Sequence, residues 1–331
     1  MRTLIVIIIS LMFGVIFAQV IAVNNNTELN TSDTVIGTEC NQLRFMHHRS
    51  RMRSYLVHVP PSYDDETDVP LVILLHGACL SGWHICEQSD MNKKADEEGF
   101  IVVYPNGAQG LLISFLNRVV WRGCKGLCWN AGFSGAGPYL LKVDDVGFID
   151  AIIERMEKEY AINSSRIYIG GFSLGAFLTY YAGSRLSDKV AAIASVAGSI
   201  GVKTPDYSLT IPESENPLPV IIFHGLKDKG VPYEPIGQGW RLFSVNESVK
   251  FWVENNNCNE TPIVSESENG NVTIKIYENG TNGSEVILYT VNNGEHWWFG
   301  GSLKDEFYDP YQEISATDLM WEFFEQYPKN K

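Results

Sequence analysis

Arg166-Ile167-Tyr168-Ile169-Gly170-Gly171-Phe172-Ser173-Leu174-Gly175 decides the architecture of this chain. Residues 166–169 predict a strand, Gly-x-Ser-x-Gly follows at once, and residues 177–184 continue as a helix. A serine on a sharp strand-to-helix turn presents its hydroxyl above the sheet. Strand and helix nearly touch at such a turn, so the positions two before and two after the serine must be small. Gly171 and Gly175 meet that demand. A bare Gly-x-Ser-x-Gly is weak evidence, because both residue types are common. The strand-turn-helix setting is what makes Ser173 the candidate nucleophile.

The same alternation extends outward in both directions. Residues 69–75 form a continuous apolar run, as expected of a strand buried on both faces, and residues 100–104 and 219–223 read alike. Residues 55–59 alternate as a strand until Pro60-Pro61 ends it. Residues 145–160 carry Val146, Ile149, Ile152, Ile153 and Met156 on one helical face. Residues 272–278 and 285–291 read as two strands around a Gly- and Asn-rich turn. Strands alternating with helices predict an α/β fold, a mostly parallel central sheet flanked by helices on both faces. No internal repeat is visible, and one catalytic domain is expected over residues 46–331.

A serine hydroxyl is a poor nucleophile until a base takes its proton and a third group orients that base. In the α/β-hydrolase fold the chain order is Ser, acid, His. Downstream of Ser173 an apolar strand ends in Phe223-His224-Gly225-Leu226-Lys227-Asp228. An acid just past a core strand sits at the carboxyl edge of the sheet, where ligands bind, so Asp228 leads, with Glu234 and Asp305 in reserve. His296 is the only histidine beyond Asp228 and follows a predicted strand in a Gly-containing loop. His224 precedes the acid and is expected in strand-end packing. For the oxyanion, the turn His76-Gly77-Ala78-Cys79 after residues 71–75 offers the Ala78 N–H, and the elbow offers that of Leu174.

Composition narrows the function classes. The chain has 331 residues, 45% hydrophobic and 19% charged, ample for a sizeable core. A net charge of −14 repels polyanions, which makes nucleic acid and phosphate-rich substrates poor partners. Met1-Arg2, an apolar run over residues 4–23, and small residues at Ala18 and Ala22 predict a signal peptide over residues 1–22. A single membrane anchor is the rival reading of that run, but the polar flank lacks basic stop-transfer residues. A flexible lead-in over residues 23–45 is expected next. Secretion agrees with eight Asn-x-Ser/Thr acceptors (Asn25, Asn30, Asn163, Asn246, Asn259, Asn271, Asn279, Asn282) and leaves no membrane partner after cleavage. Six cysteines, an even count in an exported chain, favour disulfides. Cys124 and Cys128, and His84 near Cys86, have no second pair at zinc-finger spacing, so neither a metal nor another cofactor is expected.

From about Arg53 onward the chain resembles the secreted polyhydroxybutyrate depolymerase and feruloyl esterase group, which includes carbohydrate esterases. The resemblance rests on Leu74-Leu75-His76-Gly77, Val143-Asp144-Asp145-Val146-Gly147-Phe148, the block from Ser165 to Ala176, the block from His224 to Tyr233, and His296-Trp297-Trp298. It implies Ser173, Asp228 and His296 as the triad of a serine carboxylic-ester hydrolase. The implied substrates are feruloyl or acetyl esters of plant polysaccharide, or hydroxybutyrate-type polyesters. Asp144 and Asp145 fall in the group's Asp-Asp-Val block and, read physically, can cap a helix start. Two departures stand out: Phe299 replaces the proline of His-x-Trp-Pro-Gly, and the hairpin before His296 lacks a cysteine often found there. Trp121, Trp129, Trp297 and Trp298 cluster near Gly- and Cys-rich loops, and Trp297 and Trp298 are the substrate-binding candidates. The rival functions are a peptidase or lipase of the same fold, or a non-catalytic binding protein on a hydrolase scaffold. The presence of all three triad residues argues against the last.

Overall fold

Unbroken apolar runs become inner strands here because both of their faces are covered. In the computed structural model, which describes residues 41–108, 126–132, 142–235, 237, 239, 241–304 and 306–329 with the backbone of 36–38, Val69–Leu75 is buried throughout. The first half of the chain runs β1 (Ile36–Thr38), β2 (Asn41–His48), β3 (Arg51–His58), β4 (Val69–Leu75), α1 (Gly82–Ser89), α2 (Met91–Glu98) and β5 (Ile101–Pro105). Then come α3 (Asp145–Glu159), β6 (Ile162–Phe172), α4 (Leu174–Arg185), β7 (Ala192–Val196), β8 (Gly201–Lys203), β9 (Ser208–Thr210) and β10 (Val220–Gly225). The last elements are β11 (Arg241–Leu242), α5 (Val245–Asn255), β12 (Ile263–Glu266), β13 (Val272–Tyr277), β14 (Val286–Val291) and α6 (Ala316–Gln326).

Among the described residues the main sheet has eleven strands in the order β1-β2-β3-β5-β4-β6-β7-β10-β14-β13-β12. From β5 to β14 every neighbour pair is parallel, and antiparallel strands extend both sides. Side chains alternate along β4. Leu71, Ile73 and Leu75 pack with Phe148, Ile152, Phe177 and Trp252 of α3, α4 and α5, whereas Val72 and Leu74 pack with Ile85, Ala95, Met320 and Trp321 of α1, α2 and α6. Helices thus cover both faces, as the alternation of elements predicts.

Two expectations need correction. β2 opens at Asn41, inside the stretch read as a flexible lead-in, and pairs with β3 from Gln42↔Val57 to His48↔Arg51. Its apolar alternation is weak, and its one buried side chain is Arg44, which binds Glu159 and Tyr160. Of the cysteines, Cys79 is disulfide-bonded, but Cys86 and Cys258 are buried thiols. Burial pushes both up to about 11, well away from thiolate chemistry. Cys40 and Cys124 lie outside the described residues.

The Asp-Asp pair divides its labour. Asp144 caps α3, its Oδ1 accepting from Gly147 N at 3.1 Å. Asp145 is instead buried, where its Oδ1 accepts from Arg53 Nη2 at 2.6 Å and its Oδ2 from Asn130 N at 2.7 Å. The same Arg53 Nη2 donates to Asn106 O at 3.0 Å, and the guanidinium lies 4.0 Å from the Phe148 ring centroid. Breaking one side of a buried pair strands the other charge. Asp145→Asn should therefore lower the free energy of unfolding in urea by about 3–5 kcal/mol. A change below about 1 kcal/mol would mean that Arg53 finds water instead.

Candidate active site

Ser173 follows β6 directly and sits at φ 55° and ψ −121°. Such a backbone costs a non-glycine residue about 1–3 kcal/mol and persists only where its surroundings enforce it. Here they do. Ser173 N donates to Val196 O at 2.9 Å, which ties the turn to the end of β7. A Cβ on Gly171 would lie 2.6 Å from Gly175 C, and one on Gly175 would lie 2.2 Å from Leu75 O. The two glycines let the start of α4 press against β6 and β4.

The turns after β10 and β14 are zipped together by backbone. Leu226 N donates to Val291 O and Lys227 N to Gly294 O, both at 2.9 Å. Gly225 packs on Gly294, and Gly230 packs on the ring of His296. Asp228, side chain fully buried, accepts at Oδ1 from Gly230 N at 2.8 Å and Val231 N at 2.7 Å. Its Oδ2 accepts from His296 Nδ1 at 2.8 Å. That bond fixes the tautomer, leaving Nε2 to accept from Ser173 Oγ at 2.9 Å. Three side chains from three separate turns thus form one hydrogen-bonded chain at the carboxyl edge of the sheet. His224 is buried at the end of β10 and donates from Nε2 to Val231 O at 2.8 Å, closing the loop that carries Asp228. Burial holds it below the ordinary imidazole range. Of the reserve acids, Glu234 is exposed and accepts from Asn246, and Asp305 lies outside the described residues.

The turn after β4 lies against the elbow, a Cβ on Gly77 falling 3.4 Å from Ser173 Cβ. Among the described residues the N–H groups of Ala78 and Leu174 have no protein acceptor. The His76 ring is fully buried: Nδ1 donates to Gly77 O at 2.7 Å, and Nε2 accepts from Gly107 N at 3.0 Å. Holding the Gly77 carbonyl also aims the Ala78 N–H, since the two point opposite ways across a trans peptide. The sequence reading passed over this role, for which a histidine at a strand end before glycine was the available sign.

Burial pushes His76 down from 6.5 to about 3. The folded ring stays neutral while the unfolded ring takes up a proton, so its contribution is present above pH 6.5 and lost as pH falls toward 3. The loss should run at about 1.4 kcal/mol per pH unit for this one group. Urea unfolding between pH 4 and pH 7 should show a slope reduced by about that amount in His76→Gln. Equal slopes in both proteins would assign the acid sensitivity elsewhere.

The aromatic candidates divide. Trp298 is 1% exposed, and its Nε1 donates to Thr317 Oγ1 at 3.1 Å, so it is a core residue and not a substrate contact. Phe299, which takes the proline's place, is also buried and packs on Gly294. Trp129 is buried with its Nε1 donating to His76 O at 2.8 Å, and Trp121 lies outside the described residues. Trp297 is half-buried, 6.0 Å from the Tyr311 ring. Two rings missed in the sequence do line the imidazole: Phe172 at 5.0 Å and the half-buried Phe307 at 6.0 Å. Phe307 lacks a local signal, because only the path of the chain after Trp298 brings it back.

Comparison with known proteins agrees with this architecture. Residues 62–239, more than half of the chain, match the phospholipase/carboxylesterase family. Feruloyl esterase B of Piromyces equi is 29% identical over 250 residues, covering 74% of this chain and 42% of that protein. Poly(3-hydroxyalkanoate) depolymerase C of Paucimonas lemoignei is 26% identical over 262 residues, covering 72% and 57%. The chain thus spans less than two thirds of either relative. An acetyl xylan esterase from Aspergillus awamori shares the fold, with a TM-score of 0.53 at 16% identity over 82% of this chain and 94% of that one. With the elbow, the sheet order and this match in agreement, the chain belongs to the phospholipase/carboxylesterase family.

Proposed function

We propose that this protein is a secreted carboxylic-ester hydrolase that works through an acyl-enzyme on Ser173. The observation that carries the reading is the unbroken path from Ser173 Oγ through the imidazole of His296 to the buried carboxylate of Asp228. Ser173 Oγ attacks the ester carbonyl carbon and gives its proton to His296 Nε2. The Asp228 carboxylate stabilises the imidazolium so formed. The N–H groups of Ala78 and Leu174 receive the oxyanion, one such donor being worth about 3 kcal/mol in the transition state. The imidazolium then protonates the leaving alcohol. Water, deprotonated by the same ring, releases the acid and restores the serine.

The substrate class rests on the relatives' names and on the rings beside the base. Feruloyl esters, acetyl esters on plant polysaccharide and hydroxybutyrate polyesters are the candidates, and the half-buried Phe307 and Trp297 suit an acyl group with an apolar or aromatic face. Export through residues 1–22 and a single catalytic domain over residues 46–331 belong to the same reading. Among the described residues no helix is long and apolar enough to cross a membrane.

A panel of methyl ferulate, acetylated xylan, short hydroxybutyrate oligomers, p-nitrophenyl acetate and a peptide anilide tests it. Turnover of the esters, with at least one natural-type ester preferred to p-nitrophenyl acetate and the anilide untouched, is the expected pattern. Cleavage of the anilide alone, or of no ester, would overturn it.

A further inference from the structure

A concavity opens at the carboxyl edge of the sheet, and none of Phe172, Trp297 and Phe307 lines it. Pairing of β3 with β5 runs from Tyr55↔Pro105 to His58↔Val102, so residues 51–54 overhang the edge from which β4 and β5 deliver their loops. Between that overhang and the start of α1 lies a cleft of about 490 Å³, within the range of ligand sites. Its walls include Arg51, Met52, Ser54, Trp83 and Asn106. Gly107 also lines it, and Gly107 N binds the ring of His76, whose neighbour Gly77 touches the elbow. One wall of the cleft is therefore joined, through His76 and Gly77, to the turn that packs against the elbow.

Its chemistry is unusual for this chain. Trp83 is 53% exposed, an area of indole that nothing covers among the described residues. The two arginines of the overhang and Arg49 just before it differ in charge balance. Arg49 pairs with Asp144 and Arg53 with Asp145, but Arg51 meets no carboxylate among the described residues. Beyond Arg51 the surface continues into a smaller pocket of about 130 Å³ that Lys142 also lines. Asn106 holds the wall rigid, accepting from Gly82 N at Oδ1 and donating from Nδ2 to Ser54 Oγ. Uncompensated positive charge beside an open indole is a local exception in a chain of net charge −14.

We propose that this cleft binds the alcohol side of the substrate as an oligosaccharide bearing a carboxylate, the indole of Trp83 against a sugar face and the guanidinium of Arg51 on the acid group. The proposal rests on the esterase reading above and specifies its substrate. An apolar ring face suits the C–H face of a pyranose, and a guanidinium matches a carboxylate with two parallel N–H bonds. The overall negative charge favours a mostly neutral glycan with isolated acid groups over a densely charged polymer.

The test is calorimetric binding to the full chain carrying Ser173→Ala, with linear xylooligosaccharides that bear one glucuronic acid branch and with unbranched ones of equal length. The acidic ligand should bind about tenfold tighter, the scale of one charge-assisted contact. Adding Arg51→Met should erase that preference while leaving the affinity for the neutral ligand as it was, which also shows that the variant is folded. Adding Trp83→Ala should weaken both ligands. Equal affinity for the two ligands, no binding of either, or a preference that survives Arg51→Met would overturn the proposal. Loss of ester turnover in the unmutated enzyme, with the binding pattern intact, would remove the hydrolase reading and spare the cleft.

Discussion

Ser173→Ala should lower kcat on p-nitrophenyl acetate by about 10⁶-fold, with the chain still folded. The hydroxyl is the only group lost, and the elbow around it is held by Val196 O, Gly171 and Gly175, none of which the substitution touches. His296→Ala should cost about as much, because an alcohol attacks slowly without a base at 2.9 Å to take its proton. Asp228→Asn should fall short of that loss, yet remain at about 10⁴-fold. An amide can orient the ring in the wrong tautomer and cannot offset the imidazolium charge. Near-unchanged turnover in Ser173→Ala, measured on protein purified away from host esterases, would refute the assignment of the nucleophile.

Gly175→Ala should damage the fold itself. The added methyl would fall 2.2 Å from Leu75 O and 2.6 Å from His76 O, both backbone atoms. Neither can yield without moving β4, which is hydrogen-bonded to β5 and β6 on its two sides. Overpacking of a close-packed interior costs about 1–3 kcal/mol and sometimes more, and rigid backbone on the receiving side places this case at or above the upper end. Because the same shift pushes the His76–Ala78 turn away from Ser173, activity should fall further than stability alone explains. Gly239→Ala is the matched control: nothing lies within 4 Å of its added methyl. Urea denaturation of the two variants side by side reads the difference. A change of less than about 0.5 kcal/mol at residue 175, the range of ordinary surface substitutions, would mean that strand and helix separate at little cost.

How much of this was legible beforehand follows from where each signal resides. The core strands announce themselves because burial on both faces demands an uninterrupted apolar run, as in Val69–Leu75 and Val220–Gly225. The elbow is legible because the close approach at Gly171 and Gly175 admits no side chain. Chain order alone could nominate Asp228 and His296. What brings them together is the backbone zipper between residues 225–227 and 291–294, which leaves no compositional trace. β2 stayed hidden because it joins the sheet through its backbone while its side chains remain mostly half-buried. Trp298 misled for a related reason. Its match to a position of the His-x-Trp block made it a substrate-binding candidate, but its N–H finds Thr317 at the start of α6 and the ring turns inward. The thiols of Cys86 and Cys258 show that an even cysteine count does not establish that every cysteine is bridged.

All of the chemistry depends on an imidazole at position 296 making one hydroxyl, that of residue 173, unusually reactive. Exposure to diethyl p-nitrophenyl phosphate followed by intact-mass and peptide mass spectrometry measures that reactivity without any choice of substrate. One phosphoryl adduct per chain should form, on Ser173, and His296→Ala should acquire it about 10³-fold more slowly or not at all. An adduct on another residue, or labelling of Ser173 at an undiminished rate without the imidazole, would show that these residues do not act as a unit.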